Sequence, residues 1–351
     1  MKRIVIVWPG FTGYLAAPWR ALAAQARVKV FIEPSDYEQG FDGRDLDGLD
    51  WRRVEDDAAF ADAVQEIRAF APDLILTCGW RTPFCRLAGK TDFGCRKVFD
   101  FDMPWEGRFR QVIARWALRP YLRRFDAAFV PGSRAAKYAR WLGFRWVVEG
   151  SNPSGFERFA GPPSDSRSNR FLFVGRFSKD KGLDVLVTAY AAYRRGVANP
   201  WPLDLVGSGD ALPSFGEGVR VVGFVPSGGM PDVMREHAAL VLPSLWEPWG
   251  IAALEAMSAG LPVIATDACG FTSDIKPTVL VPSGDSVALA AALERIHRMA
   301  EDERRTESER VRAAAEPYSA AAWARRLVGF LDAPSASATD ADVCTLRKVK
   351  K

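Results

Sequence analysis

The chain predicts an α/β protein made of two units. Short apolar runs alternate with segments of helical spacing along its 351 residues, and strands recurring between helices are the mark of parallel sheets. The stretch Ser151 to Arg170, rich in Pro, Ser and Gly and without apolar period, interrupts that pattern near its middle, as an interdomain linker would. At 48% hydrophobic residues the chain can bury two cores of ordinary domain size. No internal sequence repeat is evident.

In the first half, Ile4 to Trp8 reads as a buried strand that runs directly into Pro9, Gly10 and Gly13, ahead of a helix over Tyr14 to Ala26. The loop PGFTGY is neither G-x-G-x-x-G nor a Gly-Lys-Ser loop, and for Gly10 a simple tight turn is the plain reading. Further strands are expected at Val28 to Ile32, Asp73 to Thr77, Lys97 to Phe101, Ala127 to Val130 and Arg145 to Val148. In the second half, Phe171 to Val174 is an apolar strand ending in Gly175, and Leu183, Leu186, Val187 and Tyr190 then take up helical spacing. Leu240 to Leu242 is the next buried strand identified; a turn over Pro243 to Pro248, a helix over Gly250 to Met257 and a strand over Pro262 to Ala265 complete a βαβ unit. Ser319 to Leu331, with Trp323, Leu327 and Phe330 at helical spacing, is the last helix, and Ala333 to Lys351 reads as a disordered tail.

Two pairs of charged residues stand beside these strands. Glu247 and Glu255, with seven residues between them, fall in the loop before a helix and on its second turn. In a βαβ unit the helix N-terminus faces whatever sits at the carboxyl ends of the strands, and its free amides favour an anion. Two carboxylates there could grip hydroxylated groups of a ligand whose phosphates occupy the helix end. Arg176 and Lys181 follow the Phe171 strand, where a planar guanidinium and a mobile ammonium suit a diphosphate, with Gly175 and Gly182 allowing close approach of backbone. The plainer readings are a surface helix that carries two acids and a solvated polar turn, SKDKG.

Taken together, VGRFSKDKG (Val174 to Gly182), LVGSGD (Leu205 to Asp210), VVGFVP (Val221 to Pro226), the E-x7-E stretch and SAGLPVIATDACG (Ser258 to Gly270) resemble the retaining glycosyltransferases of family 4. The resemblance is dense from Phe171 to Leu293 and thin before it. It implies GT-B architecture, two Rossmann-like domains with parallel sheets facing a central cleft. Residues 1–160 would form the acceptor domain and 170–316 the donor domain; 317–332 would be a helix crossing back to the first domain, ahead of the tail 333–351. By the same resemblance Arg176 and Lys181 hold the donor diphosphate, Glu255 the ribose hydroxyls and Glu247 the transferred sugar. The backbone of Gly250 and Ile251 caps the distal phosphate, and the base lies along Gly223 to Pro226, hence against Phe224 and Val225. Gly13 gives close approach to donor phosphate or acceptor from across the cleft. Transfer with retention then asks chiefly for stabilisation of the departing diphosphate, and no metal or other cofactor is expected.

The first half departs from that pattern. Many relatives carry a His near the reacting sugar, whereas this chain has only His237 and His297, both in the second half and both read as packing or surface residues. The segment FDFDMPWEGRFRQ resembles instead a subgroup with Asp-x-Pro-Trp-x-Gly at this place, which makes Asp102 a candidate for the sugar-facing or acceptor-facing polar group. A helix N-cap is its other reading, and the leaving phosphate could itself accept the acceptor's proton. Asp100-Phe101-Asp102 is also an Asp-x-Asp of the kind that binds a divalent cation in the other large glycosyltransferase architecture, but it lies in the wrong half for that work.

Five cysteines, odd in number and without ligand-pair spacing, read as reduced thiols. The chain opens on a strand without a charged-then-apolar leader, and no apolar run approaches the ~20 residues that span a bilayer. A cytoplasmic protein is therefore expected. A net charge of +4 and the lack of a reader module argue against nucleic acid. The charge is uneven, however: Arg108 to Arg124 holds six arginines with Phe109, Ile113, Trp116 and Leu118 interleaved. This stretch is either a peripheral contact with the inner face of a membrane or a packed helix with snorkelling arginines, shortened by Pro120. The expected partners are a nucleotide-sugar donor and a glycan, lipid-linked or small-molecule acceptor, as in cell envelope polysaccharide synthesis. The rival readings are another sugar-nucleotide enzyme of the same architecture, an epimerase or phosphorylase, and a non-catalytic scaffold.

Overall fold

The computed structural model describes residues 1–35, 43–161, 168–211 and 213–333. Cys344 and all of the expected tail but residue 333 lie outside them, as does 162–167 of the expected linker.

The first unit runs β1 (Arg3–Pro9), α1 (Ala16–Ala23), β2 (Arg27–Glu33), β3 (Asp50–Arg53), α2 (Asp57–Phe70), β4 (Leu74–Cys78), α3 (Pro83–Lys90), β5 (Arg96–Asp100), α4 (Phe109–Ala117), α5 (Arg119–Leu122), β6 (Ala127–Val130), α6 (Ser133–Leu142) and β7 (Trp146–Glu149). Its sheet is parallel throughout in the order β3-β2-β1-β4-β5-β6-β7. The second unit runs α7 (Phe156–Phe159), β8 (Phe171–Val174), α8 (Leu183–Gly196), β9 (Leu203–Val206), β10 (Val219–Gly223), α9 (Met230–Glu236), β11 (Ala239–Leu242), α10 (Ile251–Ser258), β12 (Val263–Thr266), β13 (Val279–Val281), α11 (Ser286–His297) and α12 (Glu301–Ala315). Its sheet, also parallel, has the order β10-β9-β8-β11-β12-β13. A final helix, α13 (Ala320–Asp332), follows.

Parallel strands covered by helices on both faces must be apolar on both faces, which is why β6, β11 and β12 are buried at every position. In each sheet the strand order reverses at one point, between β1 and β4 in the first and between β8 and β11 in the second. Loops leave those neighbouring strands in opposite directions there, and the gap is where such sheets take ligands.

α13 packs its apolar face into the core of the first unit: Trp323, Leu327, Phe330 and Leu331 join Ile4, Ile6, Trp19 and Phe129. The indole Nε1 of Trp323 donates to the Ser151 carbonyl at 2.8 Å, and Arg96 fixes the helix end through the carbonyls of Phe330 and Ala333. The Ser151–Arg170 stretch joins the two units, as its composition suggests, but its first residues are packed and not solvated. Ser151, Asn152 and Ser154 are buried, Ser154 bridges to Ser319, and α7 docks Phe159 into the second core. The Ser258 hydroxyl of α10 donates to the Ser154 hydroxyl at 3.1 Å, and the Ser154 amide donates to the Tyr318 carbonyl at 2.8 Å.

The expected helix over Tyr14 to Ala26 is shorter, with a 3-10 turn over Gly13–Leu15 before α1. β3, β9, β10 and β13 were not among the expected strands; β3 is the edge sequence DWRR, in which only Trp51 is apolar.

Candidate active site

The two sheets turn their carboxyl ends toward each other across a cleft of about 920 Å³. Gly13 and Asp102 line it from the first unit, and Arg176, Lys181, Phe224, Val225, Glu247, Gly250, Ile251 and Glu255 from the second. All the sequence-derived candidates thus share one crevice, although they come from six loops or helix starts.

The arrangement is built by the β8 to β11 reversal. The loop after β8 carries Arg176 and Lys181, and the loop after β11 carries Glu247. Main-chain bonds lace these loops together: the amides of Leu245 and Trp246 both donate to the Asp180 carbonyl, at 2.8 and 3.1 Å. Gly182, at φ +66°, allows the approach, since a Cβ there would lie 2.2 Å from the Pro243 carbonyl oxygen. The outcome is an ion pair between residues 66 positions apart, with Lys181 Nζ 2.7 Å from Glu247 Oε2. Asp180 stands second to it, at 3.6 Å. Lys181 is buried, whereas Arg176 is exposed to the cleft.

α10 begins at Ile251 with Gly250 as its N-cap, and its first amides point outside the helix ladder at the cleft. One turn further, Glu255 faces the same space. Burial pushes its carboxyl up to about 7, with Arg158 opposing the shift. Asp102 is exposed at its own surface but stands inside the cleft, whose walls partly desolvate it. That desolvation raises its carboxyl above the usual range, its own backbone opposes the shift, and Glu247 across the cleft adds to it. Asp100, buried at the end of β5, is held up more strongly still, by burial and then by Asp102. The N-cap reading of Asp102 is overturned: α4 begins at Phe109, capped by Arg108.

Gly13 shows why a side chain is missing there. A Cβ at this position would come within 2.4 Å of Ser227 Oγ on the opposite unit, so the residue is where the two lips of the cleft meet. Gly10 does not line the cleft; at φ +74° its amide extends the pairing of β1 with β2 by donating to the Glu33 carbonyl at 2.7 Å. His237 is buried, with Nε2 3.1 Å from Asp204 and Nδ1 2.7 Å from the Val233 carbonyl, and His297 meets the Tyr193 hydroxyl at 2.8 Å. Both are packing residues.

The units also touch beside the cleft. The backbone amide and hydroxyl of Ser133 both donate to Asp274 at 3.0 Å, and Arg134 reaches Ser273 and the Asp267 carbonyl. Thr12, Tyr14, Asn152, Ser208, Ser227 and Trp249 line the cleft as well and were not identified from sequence. Ser208 lay inside the LVGSGD block, so its signal was present; Asn152 was hidden in a segment that reads as linker. Among the described residues no group of three or more His, Cys, Asp or Glu is placed to hold a metal ion.

Comparison with known proteins fits this geometry. Residues 168–299 match the family described as glycosyl transferases group 1. Anabaena HepE, solved with UDP and glucose, superimposes with a TM-score of 0.74 at 17% identity, covering 95% of this chain and 100% of that one. Sucrose-phosphate synthase from Thermosynechococcus elongatus gives 0.68 at 20% identity, covering 95% and 98%. The fold is GT-B.

Sequence relatives of this GT-B chain include an uncharacterized glycosyltransferase of Methanocaldococcus jannaschii, 33% identical over 35% of this chain and 33% of its own length. The phosphatidyl-myo-inositol mannosyltransferase of Mycobacterium leprae is 29% identical over 54% of this chain and 50% of its own. The D-inositol 3-phosphate glycosyltransferase of Jonesia denitrificans is 36% identical over 32% and 30%. This chain therefore spans at most about half the length of these curated relatives in the aligned regions. Among the described residues no helix is long and apolar enough to cross a membrane.

Proposed function

We propose that the protein is a retaining glycosyltransferase of family 4 that moves a sugar from a nucleotide diphosphate donor to a hydroxylated acceptor. One observation carries the reading: two cations, two carboxylates and a helix N-terminus, from three separate segments, meet at the strand-order reversal of the second sheet. A donor has matching parts. The diphosphate would take Arg176, Lys181 and the amides of Gly250 and Ile251, which meet negative charge as it grows on the leaving oxygen. The ribose would take Glu255, the base would lie along Phe224 and Val225, and Glu247 would face the sugar. On binding, the diphosphate would compete with Glu247 for Lys181 and free the carboxylate for sugar hydroxyls.

The first unit would then supply the acceptor side, with Asp102 as the polar group nearest the reacting hydroxyl and Gly13 at the closing lip. In this reading residues 1–160 bind the acceptor and 170–316 the donor. The names of the relatives support donor and acceptor classes: HepE was solved with UDP and glucose, and the Mycobacterium leprae relative is named for a lipid acceptor. We infer a nucleotide-sugar donor, and a glycan or lipid-linked acceptor of the kind used for envelope polysaccharide, handled at the cytoplasmic side of a membrane. No metal takes part in this scheme.

Thermal-shift titration with UDP, GDP, ADP and their sugar conjugates tests it. A ligand that binds the folded form alone raises the melting temperature, by linkage, and only one base should do so strongly. No shift with any of them, at millimolar ligand, would remove the donor site.

A further inference from the structure

We propose that the outer face of α4 is a docking surface for an anionic lipid bilayer. The buried side chain of α4 is polar, and three of its large apolar side chains are exposed, the reverse of a water-soluble surface helix at these positions. Gln111 is buried, its side-chain oxygen accepting from the Glu106 amide at 2.9 Å and its side-chain nitrogen donating to the Pro104 carbonyl at 2.7 Å. Phe109, Ile113 and Trp116 face outward, 76%, 49% and 65% exposed. Their spacing of four and then three residues places them on one side of the helix. The packed-helix reading of this stretch is thereby overturned for these three residues; Leu118 alone of the four interleaved apolar residues packs against a core cluster.

Charge selects the occupant. Arg108, Arg110, Arg119, Arg123 and Arg124 are exposed, Arg115 is partly so, and no acid lies between Glu106 and Asp126. Arg108 pairs with Glu106 at 2.8 Å, and the guanidinium of Arg119 stands 5.9 Å from the Trp116 ring. A second copy would set this positive face against itself. An anionic bilayer matches both properties, taking the arginines at its phosphates and the aromatic and branched side chains just below them.

The position ties the surface to the cleft. The segment from Asp102 to Arg108 leads from the cleft wall directly into α4, and Trp246 Nε1 of the second unit donates to Glu106 on the way. Leu245 and Trp246, 41% and 36% exposed, add apolar surface at the same rim. That this surface serves an acceptor with its lipid end in the bilayer and its polar end in the cleft rests on the transferase reading; the docking itself does not.

Vesicle co-sedimentation of the full chain, without donor or acceptor, tests the docking. Binding to phosphatidylcholine vesicles carrying about one-third phosphatidylglycerol should be at least about tenfold tighter than to phosphatidylcholine alone, and should weaken as salt rises from about 0.1 M to about 0.5 M. The triple variant F109S, I113S, W116S should bind the anionic vesicles about tenfold or more weakly, as should R110Q, R119Q, R123Q. Absence of vesicle binding by wild type, equal binding by both variants, self-association lost in the apolar variant, or a preference for single-stranded DNA over vesicles would each overturn it. Nucleotide-induced thermal shifts should be unchanged in both variants. A wild-type chain that binds vesicles but no nucleotide would sink the transferase reading and leave the docking surface standing.

Discussion

Glu255 should make the protein less stable than it need be, and the cost should depend on pH. In the folded state its carboxyl titrates at about 7 instead of the ordinary 4.5, because the cleft wall buries it and Arg158 offsets this only in part. A carboxyl whose folded pKa is raised loses stability as pH rises. Below the ordinary value it is protonated in both states and costs nothing; between the two values the unfolded chain gives up its proton while the folded chain keeps it, and above the folded value the full cost remains. The gap, at about 1.4 kcal/mol per pH unit, amounts to about 3 kcal/mol. Glu255 still touches water in the cleft, so screening brings the expected effect to between about 1 and 3 kcal/mol.

Glu255→Gln removes the titration while keeping the shape. Urea unfolding of wild type and variant across the range from about pH 3.5 to about pH 8.5 should show their stability difference levelling off at the acid end and shifting in the variant's favour by that amount at the alkaline end. On the proposed ribose role, the same variant should bind the nucleotide about tenfold more weakly, because it would lack a charged acceptor for the ribose hydroxyls. Wild-type affinity should fall as pH drops through about 7, and the variant's should not. A stability difference that is flat across pH would refute the burial argument; unchanged nucleotide affinity would refute the ribose role.

Lys181→Ala should reduce turnover by about a thousandfold or more, with the overall fold retained and stability lowered by about 1 to 3 kcal/mol because Glu247 loses its partner; near wild-type turnover would remove the diphosphate assignment. Glu247→Ala should slow transfer much more than it weakens nucleotide binding in calorimetric titration, the reverse of the pattern for Glu255→Ala. Asp102→Asn should abolish the limb of the pH–rate profile that belongs to its raised carboxyl, and a wild-type profile would confine Asp102 to a structural role. Gly13→Val should hold the lips of the cleft apart and weaken substrate use about tenfold or more, with partial rescue by Ser227→Gly, since the clash is with the Ser227 side chain.

The α/β class, the strand cores and the charged candidates follow from residues that sit close together in sequence. Buried parallel strands such as Leu240 to Leu242 and Phe171 to Val174 need apolar side chains on both faces, and that demand is visible as short unbroken runs. The loops behind them carry Arg176, Lys181 and Glu247 because a strand followed by a helix exposes its loop at the carboxyl end whatever else the fold does. Tertiary structure alone decided what those local features do together. The order of strands in the second sheet set Lys181 against Glu247, and no spacing along the chain encodes a contact over 66 positions. The edge strand DWRR was invisible because an edge position buries little and asks for few apolar residues. The Ser151 stretch does join the two units, but composition reports only its polarity; the burial of Ser151, Asn152 and Ser154 comes with contacts to α10 and α13. In α4 the sequence held both the arginines and the aromatic residues, but which side faced outward depended on Gln111 finding its partners in the Pro104 and Glu106 backbone. Local physics names the groups; packing over long distances along the chain chooses their neighbours.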